Sequence, residues 1–379
     1  MIYLDHAAST FLDTEIFDAY KKAMFDYYAN PSSPHALGHR SSRILEELDK
    51  KTLKLLGLNS GFEVLHVSGA TEANNLAIIG YALRNKRRGD ELWYLPSEHP
   101  STVNAIRHLE EKEGFKTVCG KLNKDGIIDL EELRNSLNQN TLLVSVSLVN
   151  SEVGFINNIK ELVKIVRQNS KALIHVDLVQ GFGHVDLFDL YSVDFLTLSL
   201  HKLNGPKTHG LLIKQKKTLL EPLFFGGGQQ GNMRSGTEDL ASAVAMYKAM
   251  QIAIEKQKEN KDNAALLQQY LFELFESNRN VEVNSNQLCS PYIFNFSLLH
   301  HKGSVIIEAL SNKEIYVSST SACSSRTNSS SKTLDLLGKS RQISENSVRL
   351  SFSYDTSIKE IDMFYKVFSQ ILKEVKANG

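Results

Sequence analysis

From Phe62 to about Leu212 the chain alternates short apolar, β-rich runs with stretches of helical period, and this alternation restricts the fold more than any other feature. The runs are FEVLHV, LWYLP, FKTVC, TLLVSVSLV, ALIHV and DFLTLS. They lack the apolar-polar alternation of a strand with one wet face, so each reads as buried on both sides. Strands of that kind, separated by helices, pack as one mainly parallel sheet covered on both faces, an α/β fold. After about residue 255 the order changes to VEVN, YIFNFSL, a helix, EIYVS, VRLSFS and a last amphipathic helix. That second pattern predicts a smaller α+β domain. The expected division is a large domain over residues 12–255 and a small one over 256–379, with residues 1–11 packed on the latter.

Ligands of parallel sheets sit beyond the carboxyl ends of the strands. ALIHV ends in Asp177 and Gln180, and DFLTLS leads into Ser199, His201 and Lys202. Glu98-His99 and Asn150-Ser151-Glu152 follow two further strands, and Ser68-Gly69-Ala70-Thr71 joins FEVLHV to a helix. A Ser-Gly-Ala-Thr turn at a helix start offers backbone N–H groups and a hydroxyl to a phosphate. Each residue has an ordinary reading on its own: a capping aspartate or threonine, a packed histidine, a surface lysine beside a Gly-Pro turn. Converging on one sheet edge, they fit a more specific need. An acid that keeps a pyridine nitrogen protonated, with a lysine able to form a Schiff base, is what pyridoxal phosphate (PLP) requires of a protein.

The 379 residues carry 43 basic and 43 acidic side chains, so net charge gives no reason to expect nucleic acid or an anionic membrane as partner. No apolar stretch reaches the roughly 20 residues of a membrane span, and the opening residues have no signal-peptide pattern. A cytoplasmic location is expected. Three cysteines make neither a disulfide framework nor a zinc motif, so no metal site is expected and any important cysteine acts alone. Cys119 ends an apolar strand and Cys289 precedes a Ser-Pro, both simple packing or loop positions. Cys323 is different. It lies within SSTSACSSRTNSSS, a segment too polar to pack and longer than most connections. FFGGGQQGNMRSGT forms a glycine-rich loop that leads into one long helix, expected at about 238–275.

These segments, in this order, resemble the cysteine desulfurases of the NifS/IscS type, PLP enzymes of fold type I in the class V aminotransferase group. YLDHAAST resembles the family's YLDNAATT opening, NPSSPHALG its NPSS-x-H segment, SGATEANN its phosphate turn, and HVDLVQ its HVDAAQ strand end. LSLHKLNGPK resembles the Schiff-base lysine segment, GGGQQGNMRSGT the glycine loop and SSTSACSS the mobile cysteine loop. The resemblance covers essentially the whole chain. It implies a fold-type I large domain with a mainly parallel seven-stranded sheet, and a homodimer.

The resemblance also implies roles. Lys202 would hold the cofactor covalently and act as base at the substrate Cα. Asp177 would pair with the pyridinium nitrogen, Gln180 with the phenolate oxygen, and His99 would stack on the ring and shuttle a proton. Ala70, Thr71, Ser199 and His201 would hold the phosphate end, with Thr237 reaching in from a partner subunit. Asn150 and Arg349 would bind the carboxylate of L-cysteine. Cys323 would take the sulfur as a persulfide, releasing alanine, and pass it to an acceptor protein such as an iron–sulfur scaffold or a tRNA-thiolation factor. Departures from the family pattern are Leu178 and Val179 in place of two small residues, Ser151 for a frequent Asn, Thr208 and His209 after Lys207 where Gly is usual, and Ser353 for a common Gly. The chain also ends at Gly379 without the longer tail that housekeeping members use to dock a scaffold, which leaves the acceptor open. The rival readings are a selenocysteine lyase, another class V enzyme, and a catalytically weak dimeric scaffold.

Overall fold

The computed structural model describes residues 1–319 and 330–375. Cys323 and most of the serine-rich segment lie outside the described residues. In chain order the strands are β1 (Ile2–Tyr3), β2 (Phe62–Val67), β3 (Glu91–Tyr94), β4 (Lys116–Cys119), β5 (Thr141–Ser147), β6 (Leu173–Asp177), β7 (Phe195–Ser199), β8 (Gly210–Gln215), β9 (Val281–Val283), β10 (Ile293–Leu298), β11 (Ile315–Tyr316), β12 (Ser318–Ser319) and β13 (Ser347–Ser351).

β2 to β8 form one seven-stranded sheet in the order β2-β8-β7-β6-β5-β3-β4. β8 runs antiparallel to both of its neighbours, and the other six strands share one direction. The sheet is therefore mixed, with a single reversed strand. Both faces are packed. Val144, Val146, Ile174, Val176, Leu196 and Leu198 enter one apolar cluster, while Leu65, Val67, Leu143, Phe195 and Leu212 enter another. The two sets alternate along the strands, as the period of two requires.

A four-stranded antiparallel sheet, β12-β13-β10-β9, organises the second layer. Its core is aromatic, with Phe275 in ring contact with Phe294, Phe296 and Phe368. The N-terminus joins this part: β1 pairs with β11 and Leu4 is buried in the same cluster. The helix expected at 238–275 is two helices, Leu240–Glu255 and Gln257–Glu276, because Lys256 leaves helical geometry with φ −98° and ψ 1°. No helix of the described residues is long and apolar enough to cross a membrane.

Candidate active site

Six strands that end on one side bring their carboxyl-terminal residues to a common edge. In register, Ser147, Asp177 and Thr197 are neighbours across β5, β6 and β7. Beyond that edge lies a cavity of about 550 Å³ whose wall includes Asp177, His99, Lys202 and Arg349. Ala70, Thr71, Gln180, Ser199 and His201 also line it. The structure thus brings together nine of the residues singled out by sequence around one space.

Asp177 is buried and held on both oxygens, Oδ2 accepting from Asn74 Nδ2 at 2.9 Å and Oδ1 from the Val179 N–H at 2.9 Å. Asn74 in turn donates to Ser101 Oγ at 2.9 Å, which ties the acid to the helix Pro100–Glu113. His99 caps that helix: its Nδ1 accepts the Ser101 N–H at 3.1 Å. Burial pushes the His99 pKa below the ordinary histidine value, and the Lys202 charge adds to this while Asp177 opposes it. A neutral imidazole that accepts at Nδ1 carries its proton on Nε2. Glu98, fully buried beside it, accepts from the Ser147 N–H and Oγ at 3.0 and 3.2 Å. Burial, with a contribution from Asp177, pushes its carboxyl up to about 8.

The amine of Lys202 rests on the N-terminal segment, donating to the carbonyls of Ala7 at 2.5 Å and Ala8 at 2.6 Å. Gln180 Nε2 donates to the same Ala7 carbonyl at 2.9 Å. Thr10 Oγ1 donates to the His201 carbonyl at 2.9 Å, and Ser9 Oγ lies 3.2 Å from His201 Nδ1. Residues 7–10 therefore brace the lysine segment. They were visible in the sequence only as part of the opening motif, because a backbone carbonyl leaves no signature in residue type.

At the other end stands Arg349, 5% exposed, with Nη1 on the Ser151 carbonyl at 2.8 Å and Nη2 on Asp5 Oδ1 at 3.0 Å. Among the described residues its Nε has no hydrogen-bond partner. Asn150 does not line the cavity. Its Oδ1 accepts from the Glu152 and Val153 N–H groups at 3.0 and 2.9 Å and its Nδ2 donates to Thr333 Oγ1 at 3.0 Å, so the amide shapes a turn instead. Glu152, half-buried, accepts from Ser331 Oγ at 2.5 Å and the Thr333 N–H at 3.0 Å. Thr237 is exposed and outside this cavity in its own chain. The glycine loop before it is pinned to β2, Gln230 accepting from the His66 N–H at 2.6 Å and donating to the His66 carbonyl at 2.9 Å.

Residues 2–364 match the family described as Aminotransferase class-V. The chain belongs to this family. A "Cysteine desulfurase IscS" of Dictyoglomus turgidum is 33% identical over 380 residues, covering 99% of this chain and 95% of that protein. A "NifS/IcsS protein homolog" of Lactobacillus delbrueckii subsp. bulgaricus is also 33% identical, covering 98% and 97% respectively. A solved structure called "NIFS-LIKE PROTEIN" superimposes with a TM-score of 0.91 at 29% identity, over 99% of this chain and all of that one. Class-V aminotransferases and cysteine desulfurases are PLP-dependent.

The donor set suits that group. A buried carboxylate with both oxygens positioned, a lysine amine facing the same space, and the Ser68–Thr71 turn with Ser199 and His201 at one end correspond to pyridine nitrogen, aldehyde and phosphate. Backbone approach at the phosphate end is close. A Cβ on Gly210 would come within 2.8 Å of the Gly69 backbone, and Gly69 itself sits at φ 157°, ψ 179°, where side chains are rarely tolerated.

Proposed function

We propose that this protein is a PLP-dependent cysteine desulfurase that converts L-cysteine to L-alanine and holds the sulfur as a persulfide on Cys323. The observation that carries the reading is one cavity walled by Lys202, Asp177, His99 and Arg349, in a chain whose full-length relatives are named cysteine desulfurases.

When bound, PLP supplies an aldehyde that joins the substrate amine and a cationic ring that takes up electron density from Cα. Asp177 keeps the ring nitrogen protonated, and its contacts with Asn74 and the Val179 N–H stop it from turning away. Lys202 anchors the cofactor and afterwards carries the Cα proton on Nζ. The carbonyls of Ala7 and Ala8 give the amine a fixed position when it is not covalently engaged. His99 offers Nε2–H to the reacting centre, and its depressed pKa keeps the ring neutral at pH 7. Arg349 takes the substrate carboxylate, for which a guanidinium gives two-point recognition; its contact with Asp5 is replaced on binding. Ser199, His201 and the Ser68–Thr71 turn hold the phosphate.

The net change balances without an external oxidant. The C–S bond of cysteine breaks, an S–S bond forms on Cys323 Sγ, carbon gains the hydrogen, and sulfur passes from thiol to sulfane level. A homodimer in which Thr237 of one chain completes the other's phosphate site, and an acceptor protein for the persulfide, belong to the same proposal. So does a cytoplasmic location.

The test is mass spectrometry after incubation with L-cysteine, on the wild type and on serine variants of Cys119, Cys289 and Cys323. An added sulfur on Cys323, lost with alanine release in Cys323→Ser alone, is the expected result. Persulfide carried mainly by Cys119 or Cys289 overturns the assignment. Cys289 makes a poor nucleophile, since burial pushes its thiol up to about 12.

A further inference from the structure

A second, smaller cavity of about 50 Å³ lies against the first, and Ala7, Gln180 and Lys202 belong to the walls of both. Its remaining wall includes His6, His184 and Tyr292. Two polar atoms of these wall residues have no hydrogen-bond partner among the described residues, His6 Nδ1 and Tyr292 Oη. Their residues are 6% and 4% exposed. Leaving a buried polar atom unpaired costs about 1–3 kcal/mol, and two such atoms on one small cavity rarely persist without a bridging molecule.

The two groups are complementary. Burial pushes the Tyr292 hydroxyl well above the ordinary tyrosine value, so it stays a phenol and can donate. Burial likewise brings His6 down to about 4, with an upward pull from the Tyr3 backbone and a further downward push from His184, so its imidazole is neutral and keeps one ring nitrogen as an acceptor. A donor and an acceptor on one wall suit a molecule that does both. His184 is fixed beside them, its Nδ1 3.3 Å from the Gln180 carbonyl and its ring 4.3 Å from that of Tyr292. A water needs roughly 10–15 Å³ of such space and two to four polar partners, and the cavity has room for a few. At its outer margin stand half-buried Asp13, Asn260 and Tyr354, which lead to solvent.

We propose that this cavity is an ordered-water site, bridged between His6 Nδ1 and Tyr292 Oη, which exchanges protons between the Lys202 amine and solvent from the cavity that substrate does not occupy. The transfer is a relay with no redox change. An N–H bond at Nζ breaks as an O–H bond forms on the neighbouring water, and that water releases a proton to the next water toward the Asp13 margin. His6 and Tyr292 are positioning residues, acting on Lys202 through the water they hold. The relay rests on the desulfurase reading for its use; the water site does not.

The experiment has two arms. A crystal structure of the holoenzyme at a resolution that shows solvent is expected to place a water within hydrogen-bond distance of both His6 Nδ1 and Tyr292 Oη. A dry cavity overturns the proposal whatever the enzyme's reaction proves to be. In the second arm, the holoenzyme is incubated in D₂O with L-alanine, and deuterium entering the α-position is followed by NMR. Tyr292→Phe is expected to slow this exchange by roughly 10-fold, as removal of part of a proton-transfer chain does, and His6→Phe to do likewise. Thermal unfolding and the KM for cysteine should hold near the wild type in Tyr292→Phe. Exchange at the wild-type rate in Tyr292→Phe overturns the relay. Failure of the desulfurase reading shows separately, as absence of sulfide from cysteine in the wild type.

Discussion

Two cations of the cavity wall, Lys202 and Arg349, are held in opposite ways. Lys202 rests on neutral backbone carbonyls, Ala7 and Ala8, in a segment that Thr10 and Ser9 fasten to His201. Arg349 is held by a charge, Asp5, and by the carbonyl of Ser151. Carbonyls let an amine leave as a neutral base with little electrostatic loss; a carboxylate can be exchanged for another carboxylate at small net change. In the proposed function, the lysine end serves proton and covalent chemistry, and the arginine end swaps one anion for another. Each cation's partners set what it can give up.

The largest break in that comparison is Lys202→Ala. The fold should persist, since the Ala7 and Ala8 carbonyls that accept from the amine can find water instead. Turnover should fall by roughly 10²–10⁴-fold or more, the range for loss of a positioned acid–base group, and borohydride should no longer trap cofactor on the protein. Trapping at the wild-type level, seen as an added mass on the residue 202 peptide, would remove the assignment.

Next comes Arg349→Lys. The charge stays and the fork is lost, so kcat/KM for cysteine should drop by roughly 100-fold, most of it in KM, with about 3 kcal/mol of charge-assisted hydrogen bonding at stake. A matching loss in kcat with KM unchanged would instead give Arg349 a part in the chemical step.

Acid should separate the sheet from the rest. His175, fully buried between Ser145 Oγ at 2.8 Å and Thr197 Oγ1 at 3.0 Å, is brought by burial down to about 4. Unfolded, its pKa returns to about 6.5. Between those values the unfolded chain binds the extra proton, so stability falls as pH drops from about 6.5 to 4, by on the order of 2–3 kcal/mol for this residue. Glu98 works the other way. Its carboxyl is raised to about 8, the folded state holds the extra proton from about pH 4.5 to 8, and its contribution is lost as pH rises through that window. Denaturant melts of His175→Asn and Glu98→Gln against pH check both signs: the first should flatten the acid limb and the second the alkaline one. An unchanged acid limb in His175→Asn would show that the buried histidine is not what makes the sheet acid-sensitive.

How far the sequence reached follows the same division. Strand runs such as LIHV and FLTLS declare themselves because burial on both faces demands unbroken apolar residues, and Asp177 and Lys202 are marked as the first polar groups after them. The reversal of β8 left no trace, since a buried antiparallel strand has the same composition as a parallel one. The break at Lys256 was hidden because the helical period continues across it. The bracing role of Ala7 and Ala8 lies in backbone atoms, which no residue name reports. Asn74 looked like any helix residue, although it holds Asp177. The family resemblance assigns Asn150 to cofactor and substrate, while its amide is engaged in a turn.

The smallest expected effect lies at the lysine end. Thr208, where a glycine is usual in the resembling family, lines the main cavity with φ at 70°. A β-branched residue is disfavoured in that region, at a cost of order 1–3 kcal/mol. The neighbouring segment keeps it there: the Leu200 N–H donates to the His209 carbonyl at 3.0 Å, and β8 starts at Gly210. His209 is fixed as well, 3.2 Å from His66 Nδ1, whose Nε2 meets Asp49 at 2.8 Å. With both flanks fastened, residue 208 cannot relax. Thr208→Gly should therefore raise stability by about 1 kcal/mol, less than the full strain because glycine has more freedom to lose from the unfolded chain, and it should leave Arg349-dependent KM alone. Chemical denaturation reads the first and steady-state kinetics the second. A destabilised variant would show that the Thr208 side chain makes favourable contacts larger than its backbone strain, its hydroxyl donating to the Lys207 carbonyl at 2.5 Å among them.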